Sequence, residues 1–327
     1  MISNKIKIRV YIATIIFVIV SFVYLITSGI IFPGYFSFTK VYEYTDINMP
    51  DVSNLEEVRI AFFGDQGIND NSKEVLELVK EKDVDLIVLL GDFDYVDSPE
   101  KFKEMYEEVY GEDNYPLLSV VGNHDVFKWS EYKRWMSGID VDNLNCEGEY
   151  GEAMVCNYGP VSIILSAIGT LPGDHVEFLE NTLPRLNNSW NICAWHKNNQ
   201  DYQIGGKETE VDMKIYSLCS ENNALIVSAH EHSYSRTHGL SDIDNFIVGD
   251  DVSPYNINDS SIIVVSGLGG KSARKMNTDT KDIWSSTYSK EDGAVAGALI
   301  CDFIQTEFDC EFINIERDVI DEFKLVN

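Results

Sequence analysis

The sequence predicts a layered α/β domain that follows an N-terminal transmembrane helix, and three features of the chain predict it. An uncharged apolar run lies near the start, short β-compatible runs alternate with helical patterns from residue 58 onward, and polar residues recur directly after the β-compatible runs. Such alternation is typical of a largely parallel sheet with helices packed on it. With 327 residues, 44% of them hydrophobic, the chain can bury one large core, and residues 56–327 are predicted to form a single domain.

The apolar run covers residues 10–32, and Lys5, Lys7 and Arg9 precede it. A helix of this length reaches roughly 34 Å, enough to cross a hydrocarbon core, whereas the apolar part of a cleavable signal peptide spans about 7–15 residues. The pattern therefore favours an uncleaved signal anchor over a cleaved peptide. Because the basic flank, residues 1–9, stays cytoplasmic, we expect a single-pass membrane protein with an extracellular or lumenal domain. A cytoplasmic-facing domain with reduced cysteines is the alternative.

Residues 33–55 mix aromatic, acidic and proline residues without a period, which predicts a linker. The domain then reads as strand, loop and helix in turn. The predicted strands lie at residues 58–63, 85–90, 117–121, 161–167, 192–195, 225–228 and 262–266, and the predicted helices at 72–82, 101–110 and 211–221. Residues 295–304 and 307–315 are predicted to close the domain as an antiparallel hairpin.

The chain is strongly acidic, with a formal net charge of -29 and a sequence pI near 4.4. A surface of this sign repels phosphate backbones, which argues against nucleic acid as a partner. A phosphorylated substrate would meet the same repulsion, so its site needs local positive charge, and metal ions are one source of it. Solubility or a salty habitat is the favoured explanation of the acidic surface.

Six cysteines are an even number, which allows disulfides in an oxidising compartment. Cys146 and Cys156 flank one predicted chain reversal, and Cys301 and Cys310 flank the turn of the closing hairpin, so these are the two candidate pairs. Six buried free thiols are the alternative, and the sequence leaves the complete pairing open.

Residues that can bind metals recur just past the ends of five predicted strands. In chain order they are Asp65, Asp92 with Tyr95, Asn123 with His124, His196, and His230 with His232. Ligands of open α/β sheets sit at the carboxyl ends of the strands, so these side chains are expected to meet. Each is weak evidence alone, because a Gly-Asp pair is usually a turn and a lone histidine is usually a packed core residue. Five such signals in equivalent positions indicate a metal centre.

The segments that carry these residues also resemble the motifs of a known family. They read Gly64-Asp65-Gln66-Gly67, Gly91-Asp92-Phe93-Asp94-Tyr95, Gly122-Asn123-His124-Asp125, a strand-terminal His196, and His230-Glu231-His232. Over about residues 58–270 the set resembles the calcineurin-like metallophosphoesterase superfamily, and Tyr95 and Gly67 make it most similar to the purple acid phosphatases. The resemblance implies a layered β-sandwich of two mixed sheets flanked by helices.

The resemblance implies a binuclear metal centre with seven protein ligands. One metal would be bound by Asp65, Tyr95 and His232, the other by Asn123, His196 and His230, and Asp92 would bridge the two. A phenolate is a hard ligand suited to Fe(III), and imidazoles suit Fe(II), Zn or Mn, so these are the ions expected at the first and second positions. Two such ions can hold a hydroxide and clamp the oxygens of an in-line attack on phosphorus.

Roles beyond the metal ligands follow from the same resemblance. His124 would bind the phosphate and protonate the leaving oxygen, and Asp125 could orient the His124 ring. Purple acid phosphatases commonly carry a further histidine after the fourth motif, which this chain lacks, so Lys197 or Lys207 is proposed to contact the substrate phosphate. Both could equally be surface lysines. The glycine loop, residues 267–270, could present N–H groups to an anion or simply form a tight turn.

The expected activity is hydrolysis of phosphomonoesters of the acid-phosphatase type. A phosphodiesterase or nucleotide hydrolase of the same superfamily is the first alternative, because loops outside the shared metal centre choose the substrate. A catalytically silent metal-binding ectodomain is the second, and the intact set of predicted ligands argues against it. The expected partners are a phosphorylated substrate and the membrane, whereas the sequence leaves the oligomeric state and the natural substrate open.

Overall fold

The computed structural model describes residues 47–51, 53–111, 115–277 and 279–327. The predicted cytoplasmic segment, the predicted signal anchor and most of the predicted linker lie outside these residues. Within the described part of the chain, no helix is long and apolar enough to span a bilayer. The described end of the linker contacts the domain, since Asn157 Nδ2 donates a hydrogen bond to the carbonyl of Pro50 at 2.9 Å.

The described residues form seventeen strands and five α-helices. The strands are β1 (Glu57–Phe63), β2 (Leu86–Leu89), β3 (Leu117–Ser119), β4 (Asn145–Glu149), β5 (Ala153–Tyr158), β6 (Val161–Ser166), β7 (Trp190–Ala194), β8 (Ala224–Ser228), β9 (Tyr234–Thr237), β10 (Gly239–Asp242), β11 (Ile247–Asp250), β12 (Tyr255–Asn256), β13 (Ile263–Ser266), β14 (Trp284–Tyr288), β15 (Gly297–Ile304), β16 (Glu307–Asn314) and β17 (Val319–Val326). The helices are α1 (Asp70–Glu81), α2 (Pro99–Tyr110), α3 (Trp129–Met136), α4 (His175–Thr182) and α5 (Met213–Glu221).

Two mixed sheets form the body of the domain. The first has the strand order β12-β17-β16-β15-β1-β2-β3 and the second the order β14-β9-β13-β8-β7-β6-β5-β4, while β10 and β11 form a separate pair. Strands β1 to β3 are parallel, as are β6, β7, β8 and β13. Antiparallel strands extend both sheets. The predicted sandwich of two mixed sheets is confirmed.

The first sheet is covered on both faces, as β1 illustrates. Ile60 and Phe62 belong to the apolar cluster between the two sheets, whereas Ala61 and Phe63 belong to the cluster formed with α1 and α2. Alternate residues of a strand point to opposite faces, so a strand buried on both sides has no polar face. This explains why the sequence shows continuous apolar runs here instead of alternation.

Local signals set the starts of the first two helices earlier than the apolar spacing predicted. The side chain of Asn69 accepts a hydrogen bond from the Ser72 N–H at 3.1 Å, so Asn69 is the N-cap and α1 begins at Asp70. Proline stands at the first position of α2, Pro99, where its missing N–H leaves no hydrogen bond unmade. The Asn69 cap and the Pro99 start therefore each place a helix start two residues before the predicted one.

All six cysteines form disulfides. Cys146 pairs with Cys156 across β4 and β5, and Cys301 pairs with Cys310 across β15 and β16, which confirms both predicted pairs. The third disulfide, which the sequence left open, joins Cys193 of β7 to Cys219 of α5 and ties a central strand to the helix packed on it. No free cysteine remains in the chain, so the alternative of six free thiols is wrong.

The closing element is larger than the predicted hairpin. Strands β15 and β16 pair in antiparallel fashion as expected, and β17 then adds a third antiparallel strand along β16. The inward residues of β17, Asp321, Phe323 and Leu325, are buried. The meander matters for the site because β15 pairs directly with β1, the strand that leads to Asp65.

Candidate metal centre

The five predicted strand ends meet at one edge of the sandwich. The loops after β1 and β2 are joined by backbone hydrogen bonds, with Asp65 N–H donating to the Gly91 carbonyl at 3.0 Å and Gly67 N–H to the Phe93 carbonyl at 2.7 Å. The loop after β8 joins them, because the His230 N–H donates to Asp65 Oδ2 at 2.6 Å. These contacts hold the side chains of separate loops in fixed relation.

Tyr95, Asp65 and His232 form one half of the site. The Tyr95 hydroxyl donates to Asp65 Oδ1 at 2.7 Å and lies 3.1 Å from His232 Nε2. His232 Nε2 in turn lies 3.4 Å from Asp65 Oδ1. Three donor atoms, each able to bind a cation, thus face one another, as the resemblance implied for the first metal.

Asn123, His196 and His230 form the other half, and Asp92 lies beside them. His196 Nε2 is 3.2 Å from Asn123 Oδ1, 3.2 Å from Asp92 Oδ1 and 3.1 Å from His230 Nδ1. Ligand atoms of Asp92, His196 and His230 all lie within 4.8 Å of one another, and all three residues are buried. The seven residues predicted as ligands are therefore gathered around one pocket edge.

The surroundings of His196 and His230 shift the pKa values of the two rings in opposite directions. Burial lowers the pKa of His196, but the carboxylates of Asp92 and Asp65 outweigh it and raise the pKa to about 9. Burial and the charge of His196 lower the pKa of His230 to about 3. His196 Nε2 thus faces both Asp92 Oδ1 and His230 Nδ1, and these atoms are suited to bind a cation.

The Tyr95 phenol points to the same conclusion. Burial, followed by the negative charges of Asp65 and Asp92, raises its pKa far above the ordinary range. The hydroxyl therefore keeps its proton unless a cation offsets the two carboxylates. Phenol, carboxylates, imidazoles and an amide oxygen in one cluster are a donor set that fits two cations.

The backbone of the site is held in an unusual conformation. Asp65, Asp92, Tyr95 and His230 have φ angles of 59°, 57°, 60° and 68°, a region that non-glycine residues seldom adopt. Each of these residues is a predicted ligand. Six further non-glycine residues in the described part of the chain, outside the ligand set, share this conformation, so it is not confined to the site.

Gly122 is required by a close approach within the site. A Cβ atom at this position would lie 2.1 Å from the Asp92 backbone nitrogen and 2.4 Å from Asp92 Oδ1. Any other residue would push the shared carboxylate out of place. The glycine of the Gly-Asn-His-Asp segment is therefore explained by packing against Asp92.

His124 and Asp125 differ in position and in role. His124 is exposed at the rim, and its ring lies 4.5 Å from the Tyr95 ring, centroid to centroid. Asp125 is buried and its carboxylate accepts backbone N–H groups from Asp92, Phe93 and Gly122 at 2.7–2.8 Å. The proposal that Asp125 orients the His124 ring is therefore replaced, since its carboxylate instead fixes the two loops that carry the ligands.

The two predicted lysines have protein partners. The Lys197 ammonium pairs with the Glu210 carboxylate, so it is not free for a phosphate. The Lys207 ammonium donates to the His230 carbonyl, and burial lowers its pKa to about 8. Lys207 thus lies at the site but is used to hold the backbone of a predicted ligand.

Glu210 is a site residue that the sequence did not reveal. Its Oε2 accepts a hydrogen bond from His230 Nε2 at 2.7 Å, which places the proton on Nε2 and leaves the Nδ1 lone pair facing the pocket. Carboxylates that fix the tautomer of a metal-binding histidine recur in metal sites. No motif marks this position, because Glu210 reaches His230 through a loop and not through a strand end.

Two N–H groups of the glycine loop, those of Gly267 and Gly269, are used within the protein. The N–H groups of Gly267, Gly269 and Lys271 donate to the carbonyls of Ser233, Gly64 and Asp65. Gly267 also lies against the site, since an added Cβ would be 2.0 Å from the Glu231 carbonyl oxygen. The loop thus joins the segment before Asp65 to the segment after His232.

Comparisons with known proteins agree with this geometry. The family model described as Calcineurin-like phosphoesterase matches residues 58–234, which is more than half of the chain. The curated protein Probable purple acid phosphatase 20 of Arabidopsis thaliana is 24% identical over 202 residues, covering 55% of this chain and 46% of the relative. The chain spans about half the length of this curated relative.

Three solved structures share the fold. A purple acid phosphatase, PPD1 from yellow lupin (Lupinus luteus) seeds, superimposes with a TM-score of 0.68 at 16% identity and covers 84% of this chain and 55% of its own. GAP50, the anchor in the inner membrane complex of Plasmodium, superimposes with a TM-score of 0.58 at 14% identity and covers 83% of this chain and 89% of its own. PhoD superimposes with a TM-score of 0.54 at 9% identity and covers 84% of this chain and 69% of its own. Together with the family match, the fold and the gathered motifs lead to one conclusion: the chain belongs to the calcineurin-like phosphoesterase family.

Proposed function

We propose that the protein is a metal-dependent phosphomonoesterase of the acid-phosphatase type. One observation carries the proposal: the Tyr95 hydroxyl lies 2.7 Å from Asp65 Oδ1 and 3.1 Å from His232 Nε2, beside the cluster of Asp92, His196 and His230. A phenol in this position distinguishes the purple acid phosphatases, and the similarity to two of them supports the same assignment.

Asp65, Tyr95 and His232 would hold Fe(III), Asn123, His196 and His230 would hold Fe(II), Zn or Mn, and Asp92 would bridge the two ions. When bound, the two ions supply an activated water for in-line attack on phosphorus and neutralise charge on the phosphoryl oxygens.

His124 is the remaining residue of the proposed active site. Its exposed position beside Tyr95 lets it reach an ester oxygen at the rim, where it binds the phosphoryl group and protonates the leaving alcohol. Its backbone N–H is fixed on Asp92 Oδ1 at 2.8 Å, so the ring and the bridging carboxylate are positioned together.

The Tyr95→Phe variant tests the proposal. The full-length protein in detergent should be coloured by a tyrosinate–Fe(III) charge-transfer band, and this band should disappear in the variant, because only the ring and not the phenolate remains. Visible spectra and metal analysis provide the measurement. A nitrophenyl phosphate monoester and a bis-nitrophenyl phosphate diester, assayed in parallel, report the preferred substrate.

Tyr132→Phe is the matched control. Tyr132 is also buried and also donates to a carboxylate, that of Asp94, which lies outside the ligand set, so this variant should keep the band. A colourless wild-type enzyme that contains zinc or manganese and is active would overturn the iron assignment. Metal-loaded protein without turnover on either ester would overturn the enzymatic function.

We also propose that residues 10–32 anchor the protein and that its catalytic domain is extracellular or lumenal. The apolar run in the sequence supports this, as do the three disulfides, which persist in oxidising compartments. In sealed microsomal vesicles the domain should resist added protease until detergent opens the membrane, as judged by blotting for a C-terminal tag. Digestion without detergent would place the domain in the cytoplasm.

A further inference from the structure

A basic segment lies against the candidate metal centre of this acidic protein. Residues 271–275, Lys-Ser-Ala-Arg-Lys, follow the glycine loop directly, and we call them the basic loop. The whole chain has 54 acidic residues against 25 Lys and Arg, so three cations within five residues reverse the sign of the charge locally. Such a reversal attracts an anion to a surface that would otherwise repel it.

The backbone of the basic loop is fixed to the predicted ligands. The Lys271 N–H donates to the Asp65 carbonyl at 2.9 Å, and the Arg274 N–H donates to the His232 carbonyl at 2.8 Å. The Ser272 carbonyl lies 3.3 Å from His232 Nδ1. The basic side chains are therefore held at a constant position relative to the centre.

The Lys271 side chain stands at the rim of the pocket. Its ammonium nitrogen lies 4.2 Å from the centroid of the Tyr95 ring, and the same ring lies 4.5 Å from the His124 ring. In contrast to Lys197, Lys271 forms no ion pair with any described residue. Its charge is thus available to a group that enters beside Tyr95 and His124.

Arg274 is a second cation of the basic loop near the predicted ligands. Its guanidinium Nη1 lies 3.8 Å from Glu231 Oε2, too far for a hydrogen bond, and the side chain is 44% exposed. Glu231 is buried next to two predicted ligands, so Arg274 balances part of its charge while much of the arginine side chain remains exposed. Arginine binds carboxylates and phosphates through its guanidinium N–H groups.

We propose that Lys271 and Arg274 form an anion subsite that binds a second negatively charged group of the substrate. The substrate would be a phosphomonoester whose alcohol carries an oxyanion, either a carboxylate or a further phosphoryl group. The inference rests on the proposed function, in which the metal centre and His124 bind the scissile phosphoryl group. The basic loop would then contact the part of the substrate beyond the scissile phosphoryl group.

The test measures the binding of two matched, non-hydrolysable probes. Propylphosphonate and 3-phosphonopropionate differ by a carboxylate in place of a methyl group, so the ratio of their dissociation constants reports the second anion alone. Isothermal calorimetry on full-length, metal-loaded protein in detergent should show about tenfold tighter binding of 3-phosphonopropionate, the effect expected of one hydrogen bond to a charged group.

Three variants show which side chain causes the preference for 3-phosphonopropionate. Lys271→Gln should lose most of the tenfold ratio, whereas Lys271→Arg should retain most of it because the charge remains. Lys275→Gln, which removes a cation from the same loop at an exposed position, should leave the ratio unchanged. Thermal unfolding of each variant checks that the loop still folds.

The outcomes separate the subsite from the proposed function. Equal binding of the two probes by the wild-type protein would overturn the subsite, and so would a preference that survives Lys271→Gln combined with Arg274→Gln. A metal-loaded protein that prefers 3-phosphonopropionate but hydrolyses neither nitrophenyl phosphate nor a phosphomonoester that carries a carboxylate would retain the subsite while refuting the phosphatase activity.

Discussion

Asp321→Asn should lower the free energy of unfolding by about 3–5 kcal/mol, the range found when one partner of a buried ion pair is removed. Asp321 lies on β17 of the first sheet and accepts two hydrogen bonds from Arg236 of β9 in the second sheet, at 2.6 and 2.9 Å. Only 4% of the Arg236 side chain and 7% of the Asp321 side chain is exposed. The asparagine keeps the size of the side chain but leaves the guanidinium charge buried and uncompensated.

The surroundings of Arg236 make the pair a link between the two sheets. Its guanidinium lies 4.7 Å above the Phe323 ring and also donates to the Tyr255 hydroxyl at 3.0 Å. The Tyr234 hydroxyl donates to the same Asp321 carboxylate at 2.7 Å. Because β9 begins two residues after His232, loosening this link would also disturb the end of the segment that carries the predicted ligands.

Asp302→Asn is the matched control. Asp302 pairs with Arg59 through the same two-bond geometry, at 2.5 and 2.9 Å, but 40% of the Arg59 side chain and 52% of the Asp302 side chain is exposed. Exposed pairs contribute about 0–1 kcal/mol. Urea unfolding of the oxidised protein, followed by circular dichroism, compares the two variants. Equal losses would show that burial does not set the strength of the Arg236 pair.

The strand ends of this protein could be predicted because their signals are local. Each apolar run and the polar residue after it lie within a few positions of one another, as in the run that ends before Asp65. Parallel strands deliver their carboxyl ends to one edge, so the meeting of Asp65 with Asp92 follows from topology. Tyr95 and His232 belong to the same group of predictions, since each stands a fixed short distance after its strand.

Contacts made by loops could not be predicted in this way. Glu210 reaches His230, and Lys271 reaches Tyr95, across loops whose paths depend on the packing of the whole domain. Asp125 illustrates the same limit, because its neighbour in sequence, His124, is not the group that its carboxylate binds. The Cys193–Cys219 disulfide likewise needs the packing of α5 on β7, whereas the two predicted pairs join neighbouring strands.

Asp92→Asn should remove nearly all hydrolytic activity and at least one metal ion per chain. The Asp92 carboxylate lies 3.2 Å from His196 Nε2 and accepts the His124 N–H at 2.8 Å, so it connects one predicted ligand to the group at the rim. An asparagine preserves the shape but loses the charge and one of the two anionic oxygens needed to bridge cations. Loss of a residue that only supports a ligand costs about 10–100-fold in affinity or activity, so the loss here should exceed about 100-fold.

Two further variants show whether the loss reflects the metal centre itself. Glu210→Gln removes the carboxylate that accepts a hydrogen bond from His230 Nε2 at 2.7 Å. Its kcat/KM should fall by about 10–100-fold. Asp94→Asn should retain both metals, because the Asp94 carboxylate accepts hydrogen bonds from backbone N–H groups of residues 96–98 and not from any predicted ligand. Plasma emission spectrometry gives metals per chain, and nitrophenyl phosphate assays give kcat/KM. An Asp92→Asn protein with two metals and near-normal kcat/KM would contradict the bridging assignment.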